Sequence, residues 1–442
     1  MMVDGGMLRD PAWERHRSSL AAQAGFVRSY SPVTAALLEQ AVTWLADPEG
    51  RGRELGDPGA VREICERLVA LLTEDDIEGI DTGWIDDLQP ALRLNAALHW
   101  YVLGNDPRVV ELRPYFATVA EGQGPTARKP NDDEFPQRLL NAVKALGAEL
   151  FERTRNWQVV ANETSRGIAW LLPAVLVSAE AVHLVELGCS AGLNLYAEQR
   201  RYDLAWTASK RLRIGRADDD EFLTVCGGVI PHLEGFTQAE LRGPEVLSRV
   251  GGDTRRGQLD GAEFDGRLEA CIWGNQRRRL DLLRQGMAIH RRAIEQAVQQ
   301  SLGASTSDEL LLPAKIQPVE LPSDVSEFLA TAVPTHPKVP VIAYNTCVTA
   351  YFSDVDQRAY ARDMRSFART WSLQHKLPWM WVRFEPARAG KDAPHPGWCL
   401  WVVELFSGSK HKSIELGWAH PHLIRAEFGP GLAELRDLRD RR

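Results

Sequence analysis

From residue 181 onward the chain alternates between short β-branched runs and helical patterns, which limits it to a small set of architectures. The runs are AVHLVEL (181–187), PEVLSRVGG (244–252), AKIQPVEL (314–321), VPVIAYNT (339–346), PWMWVRFE (378–385), GWCLWVVELF (397–406) and HKSIELGWA (411–419). Helical patterns near 191–201, 275–301, 323–331 and 356–376 separate them. Parallel neighbours need a long crossover, and a helix usually supplies it. The last two runs are joined too tightly for a crossover, so they read as a hairpin-like pair. The expected fold is α/β, a doubly wound sheet of seven strands, mostly parallel.

The first 180 residues follow a different pattern. SPVTAALLEQAVTWLAD has a Ser-Pro start and apolar residues at helical spacing, namely Val33, Leu37, Leu38, Ala41 and Leu45. GAVREICERLVALL, PALRLNAALHWYVLG and FPQRLLNAVKALGAELFERT repeat that spacing, and no alternating strand appears among them. Two parts are therefore expected, a helical region over residues 1–160 and an α/β domain over residues 161–442. A chain of 442 residues is also too long for one ordinary core. The apolar stretch IAWLLPAVLVSAEAVHLVELG (168–188) has the length of a membrane span, but Pro173, Glu180, His183 and Glu186 interrupt it. It reads as a buried helix running into a buried strand. A net charge of −8 gives no global case for nucleic acid. Six cysteines without a C-x-x-C pair argue against a zinc ribbon or a disulfide scaffold, and suit reduced thiols in a cytoplasmic protein.

The stretch VELGCSAGLNL (185–195) admits two readings. Residues 188–192 fit G-x-S-x-G, the turn that presents a nucleophilic serine, and Asp354 or Asp356 with His420 would complete a triad in permissible order. The alternative is a glycine-rich turn at the exit of the first sheet strand, where cofactor-binding α/β folds place it. The second reading accounts for more letters. Gly188 lets the chain leave the strand sharply, Gly192 lets the following helix pack close, and Ser190 is small enough to line a cradle. Glu186 would repel a pyrophosphate, which disfavours a dinucleotide, but suits the cationic methionine part of S-adenosylmethionine.

Several further segments carry a resemblance: ALHWYVL (97–103), NETSRG (162–167), ELGCSAGLNL (186–195) with RYD (201–203), RVGGD (249–253), IWGNQRRRLDLLRQGMAI (272–289), YNTCVTAYF (344–352) and AHPHLIRAEF (419–428). Through them the chain resembles a bacterial family, domain of unknown function 2332, whose members look like class I S-adenosylmethionine-dependent methyltransferases. It departs from the family at Gly274, where proline is common, and in longer material between residues 205 and 244. The resemblance implies a Rossmann-like, seven-stranded methyltransferase-type sheet preceded by an all-helical region that covers the cofactor and forms the acceptor pocket. It implies S-adenosylmethionine as cofactor. It places Asp253 at the second strand's end to accept ribose hydroxyls, Glu320 near the adenine, and Asn345 where donor and acceptor meet.

Other candidates are Asn162, Glu163 and Arg166, which either fold over the cofactor or begin a helix. Tyr351 and Glu385, near predicted strand ends, could contact an acceptor, and His420 or His422 could move a proton. No carboxylate or cysteine near the two histidines completes a metal site. Trp379, Trp381, Trp398 and Trp401 read as sheet core. The expected activity is methyl transfer to a small-molecule acceptor, with no nucleic acid or membrane partner and with the oligomeric state open. A non-catalytic cofactor-binding protein and a Ser190 hydrolase remain as alternatives.

Overall fold

The computed structural model describes residues 11–28, 31–75, 89–119, 128–157, 163–205, 211–215, 220–228, 241–254, 262–303, 311–387 and 392–439. The chain divides into two units, Met1–Ala161 with Asp260–Asp281, and Asn162–Leu259 with Leu282–Arg442. The return of residues 260–281 to the first unit was not anticipated from the sequence.

The first unit contains α1 (Pro11–Val27), α2 (Pro32–Ala46), α3 (Pro48–Glu54), α4 (Pro58–Asp75), α5 (Gln89–Leu103), α6 (Phe135–Leu146) and α7 (Ala148–Asn156). Proline at the first turn opens α2, α3 and α6, where its missing N–H costs nothing. Gly147, at φ 55, breaks the predicted single helix of 135–154 into α6 and α7. The expected stripe on α2 is buried, from Val33 through Leu45. The later segment joins this core through polar contacts as well as apolar ones. The buried His99 ring bonds the Ala270 carbonyl (3.1 Å) and Thr118 Oγ1 (2.8 Å), and Thr118 N donates to the Gly274 carbonyl (3.0 Å). A Cβ on Gly274 would lie 2.3 Å from Phe116 Cδ1, so this position is packed for glycine.

The second unit begins with α8 (Ile168–Leu176) and carries eleven strands: β1 (Ala181–Leu187), β2 (Arg201–Ala205), β3 (Arg211–Gly215), β4 (Asp220–Gly228), β5 (Glu245–Asp253), β6 (Lys315–Pro318), β7 (Val341–Thr346), β8 (Trp379–Pro386), β9 (Cys399–Ser407), β10 (Lys410–Ala419) and β11 (Arg425–Phe428). Helices α9 (Ala262–Ala270, in the first unit), α10 (Arg277–Ser301), α11 (Val325–Ala332), α12 (Asp354–His375) and α13 (Gly431–Asp437) complete the chain. The strands form one sheet in the order β3-β2-β4-β11-β10-β9-β8-β7-β1-β5-β6. The pairs β6-β5, β5-β1, β1-β7 and β7-β8 are all parallel, and β8-β9-β10-β11 is an antiparallel meander.

The fold is therefore a mixed α/β sheet preceded by a helical region, with eleven strands rather than the seven expected. All seven expected strands are present. Of the four additions, β11 completes the meander, and β4, β2 and β3 extend the sheet beyond it. The expected helix at 191–201 is instead a 3₁₀ segment, Leu193–Gln199.

Side chains alternate across the sheet and divide its core in two. Val182 and Leu184 of β1, Ile342 and Tyr344 of β7, and Val382 and Phe384 of β8 pack with α8 and α13. Val185 and Leu187, Val341 and Ala343, and Trp379 and Trp381 pack with α11 and α12. Both faces are covered, which explains the continuous apolar character of these strands. Trp398 and Trp401 are likewise buried. Among the described residues no helix is long and apolar enough to cross a membrane.

Candidate functional site

Strand β1 has β5 on one side and β7 on the other, so the order of the parallel strands reverses beside it. Open α/β sheets bind ligands at the carboxyl ends of strands at such a point. The β1 exit there is the Gly188–Gly192 turn. Gly188 (φ 72), Ser190 (φ 50) and Gly192 (φ 69) are all left-handed. The two glycines also meet close neighbours. A Cβ would lie 2.3 Å from Val348 Cγ2 at Gly188, and 2.7 Å from Ile316 Cδ1 at Gly192.

The amides of the turn are used within the protein. Gly188 N and Cys189 N donate to the Gly252 carbonyl (2.7 and 3.1 Å), and Gly192 N donates to the Cys189 carbonyl (2.8 Å). Ser190 N donates to Asp253 Oδ2 at 2.7 Å, a charge-assisted bond from the neighbouring strand end. Asp253 thus fixes the turn across 63 residues of sequence. Behind the turn, Arg249 bonds Glu198 in a buried ion pair and donates through Nε to the Leu195 carbonyl (2.9 Å).

Glu186 is 2% exposed and shares its sheet face with Tyr344, its partner in the β1-β7 register. Burial pushes its carboxyl up to about 8, Tyr344 draws it down, Asp253 raises it further, and Arg166 and Asn194 oppose. Orphaned polar atoms gather at this point. Glu186 Oε2, the Tyr344 hydroxyl and Asn194 Oδ1 are buried and make no hydrogen bond of ordinary length and angle, although Tyr344 and Asn194 stand close enough to Glu186 to favour its ionised form, while Asn194 Nδ2 donates to the Glu163 carbonyl (3.2 Å).

The NETSRG segment lies beside this group, with Asn162 outside the described residues. Glu163 accepts from Ser165 Oγ (2.9 Å) and pairs through Oε2 with His422 Nδ1 (3.1 Å), while Ser165 Oγ also meets the His422 carbonyl. Arg166 is 8% exposed and donates through Nε to the Pro421 carbonyl (2.8 Å). His420 is engaged locally, its Nδ1 accepting from His422 N (3.1 Å).

Asn345 lies elsewhere. It is 0% exposed and, being odd-numbered on β7, shares the α12 face. Its Oδ1 accepts from Trp381 Nε1 (2.8 Å) and Tyr360 (3.2 Å), and its Nδ2 donates to Glu385. Glu385 in turn accepts from Val348 N (3.0 Å), Thr349 N (2.9 Å) and Thr349 Oγ1 (2.8 Å), so the pair pins the turn after β7. Tyr351, at the end of that turn, is 51% exposed. Glu320 is exposed in the turn after β6, where its carbonyl accepts from Asp324 N (2.9 Å). The structure thus gathers Glu163, Arg166, Glu186, Gly188, Ser190, Gly192 and Asp253 around the β1 exit. It sets Asn345 into the packing behind.

Of the two aspartates offered for a triad, Asp356 has another partner. Asp356 caps α12 with Ser353, accepting from Ser353 Oγ at 2.7 Å. Left-handed backbone at Ser190 suits an elbow as well as a cradle, but Asp253 places negative charge against the turn where an acyl-transfer site needs electron-poor donors. Among the described residues no group of three His, Cys, Asp or Glu side chains could hold a metal ion. Sequence reading missed the roles of Tyr344 and Asn194 and the approach of Cys347 to Cys399, whose sulfurs are 3.7 Å apart. Tyr344 was signalled only by its place one residue before Asn345.

Fold and site together define an α/β protein with a left-handed glycine turn at the carboxyl end of a central parallel strand. The profile of the family described as an uncharacterized protein conserved in bacteria, domain of unknown function 2332, matches residues 63–305, more than half of the chain. The chain belongs to that family. Neither the curated proteins nor the solved structures contain a match to it.

Proposed function

We propose that the protein is an S-adenosylmethionine-dependent methyltransferase acting on a small-molecule acceptor, its second unit a Rossmann-like cofactor domain. The order β6-β5-β1-β7-β8 supports this reading, because numbering those strands by their appearance gives 3-2-1-4-5, the doubly wound order. The observation that carries it is the β1 exit itself. A left-handed glycine turn tied to Asp253 stands beside a buried carboxyl, Glu186, with an orphaned oxygen. The residues present fit this cofactor better than a dinucleotide. A phosphate cradle needs free backbone amides, and those of Gly188, Cys189, Ser190 and Gly192 are already bonded within the protein. What the turn offers is acceptors: Glu186 Oε2 and Asn194 Oδ1, suited to a cationic methionyl end.

On this reading Gly188, Ser190 and Gly192 allow close approach, Glu186 faces the cationic end and Asp253 accepts ribose hydroxyls beside the Ser190 amide. Glu320, just past the end of β6, faces the adenine side. The cofactor, when bound, supplies an activated methyl group for in-line displacement. The protein's part is positioning and exclusion of water. A proton on the acceptor would pass to His422, whose Nδ1 contact with buried Glu163 makes Nε2 the basic nitrogen.

Calorimetry with S-adenosylmethionine and S-adenosylhomocysteine tests the reading. Saturable heat from both is expected, and no heat from either with folded protein would overturn it. Binding of both without methylation of any acceptor in a broad small-molecule screen would favour the regulatory alternative.

A further inference from the structure

Two thiols outside the proposed cofactor contacts approach each other at the end of β8. Cys347 follows β7, and its backbone N donates to the Phe384 carbonyl (2.8 Å). Cys399 opens β9 opposite Pro386. By strict alternation Cys347 would follow Asn345 onto the α12 face. Its left-handed backbone, φ 58, turns it instead toward the core that contains Cys399. The sulfurs stand 3.7 Å apart.

The surroundings distinguish the two. The Cys399 contact lowers the Cys347 thiol below its usual range, burial opposes, the Arg166 guanidinium lowers it further and Glu385 raises it. Cys399 is held well above the usual range by the Cys347 contact and by burial. Cys347 is therefore the thiol of the pair that gives up its proton first, and it is also the more accessible of the two. Among the described residues no third ligand makes this pair a metal site.

We propose that Cys347 and Cys399 form a peroxide-reactive pair, with Cys347 the attacking thiolate and Cys399 the resolving thiol. The Cys347 thiolate attacks the distal oxygen of a hydroperoxide, the O–O bond breaks and the alkoxide or hydroxide leaves with a proton from water. The resulting sulfenic acid condenses with the Cys399 thiol, forming the S–S bond and releasing water. The hydroperoxide is reduced by two electrons and the pair of thiols is oxidised by two. Closure from 3.7 Å to the ~2.05 Å of a disulfide needs roughly 1.6 Å of approach. The turn after β7, pinned by Glu385, would then be stapled to β9. This proposal does not depend on the methyltransferase reading.

The test treats the full chain with equimolar hydrogen peroxide, blocks remaining thiols with iodoacetamide and maps unreduced peptides by mass spectrometry. A Cys347–Cys399 cross-linked peptide is expected before any change at Cys65 or Cys189. Cys399→Ser should accumulate a dimedone adduct on Cys347, whereas Cys347→Ser should leave Cys399 unmodified. Arg166→Gln should slow oxidation severalfold, because the guanidinium that favours the Cys347 thiolate is lost, and Arg166→Lys should retain most of the rate. Oxidation of Cys65 as fast as Cys347, an intermolecular disulfide as first product, or a dimedone adduct on Cys399 in Cys347→Ser would overturn the proposal.

Discussion

Glu186→Gln isolates the carboxyl titration built into the β1 exit. The substitution keeps the side chain's shape and removes its ionisation. In the folded protein burial raises the carboxyl from 4.5 to about 8. The folded state therefore holds a proton that the unfolded state releases between those values. The unfolded chain binds fewer protons over that window, so stability falls as pH rises through it. At 1.36 kcal/mol per unit, this one group costs the fold roughly 4 kcal/mol more at pH 9 than at pH 5. Urea unfolding of both proteins at pH 5, 7 and 9 measures the effect. The difference between them removes other titrations, such as that of His183, which burial lowers. Glu186→Gln should gain on the parent steadily as pH rises, by a few kcal/mol at pH 9. Parallel stability profiles would show that Glu186 does not titrate in this window and would refute the reasoning. The same proton has a consequence for ligands. If a cation docks on Glu186, the carboxyl must ionise, so binding should release a proton at pH 7 and tighten as pH approaches 8.

Other perturbations address the turn and its supports. Gly188→Ala places a Cβ 2.3 Å from Val348 Cγ2 at a φ of 72, and should cost roughly 2–4 kcal/mol of stability in urea unfolding. Asp253→Ala should weaken S-adenosylhomocysteine binding by about 1–3 kcal/mol in calorimetry, and unchanged affinity would remove Asp253 from the site. Arg249→Met should cost about 3–5 kcal/mol because it leaves the buried Glu198 carboxylate without its counter-charge, and Glu198→Gln added to it should recover much of that loss.

Of the seven strands legible in the sequence, β1, β7 and β8 carry side chains buried on both sheet faces, and their apolar runs stand out from their surroundings. The four that escaped notice are short or mixed with charge. β2 reads RYDLA, β3 reads RLRIG and β11 is only four residues long. Such strands are defined by their neighbours in the sheet rather than by their own apolar content. The association of residues 260–281 with the helical unit escaped for a related reason. It depends on His99 and Thr118 bonding carbonyls more than 150 residues away, and no local pattern encodes that.

Within the candidate site, the division follows the period of the strand. Glu186 and the glycine turn were legible because strand, turn and following segment are contiguous, and the carboxyl's position relative to the strand end is fixed by counting. Asn345 was placed at a strand end correctly, but one residue decides which face a side chain occupies. Tyr344 shares the Glu186 face, and Asn345 is spent on Trp381, Tyr360 and Glu385 on the other. Two residues further on, the left-handed turn at Cys347 breaks that parity and brings its sulfur to Cys399 across 52 residues of sequence. Alternation predicts side-chain direction only while the backbone stays extended. The chemistry after β7 therefore depends on a single positive φ at a residue type whose sequence gives no reason to expect it.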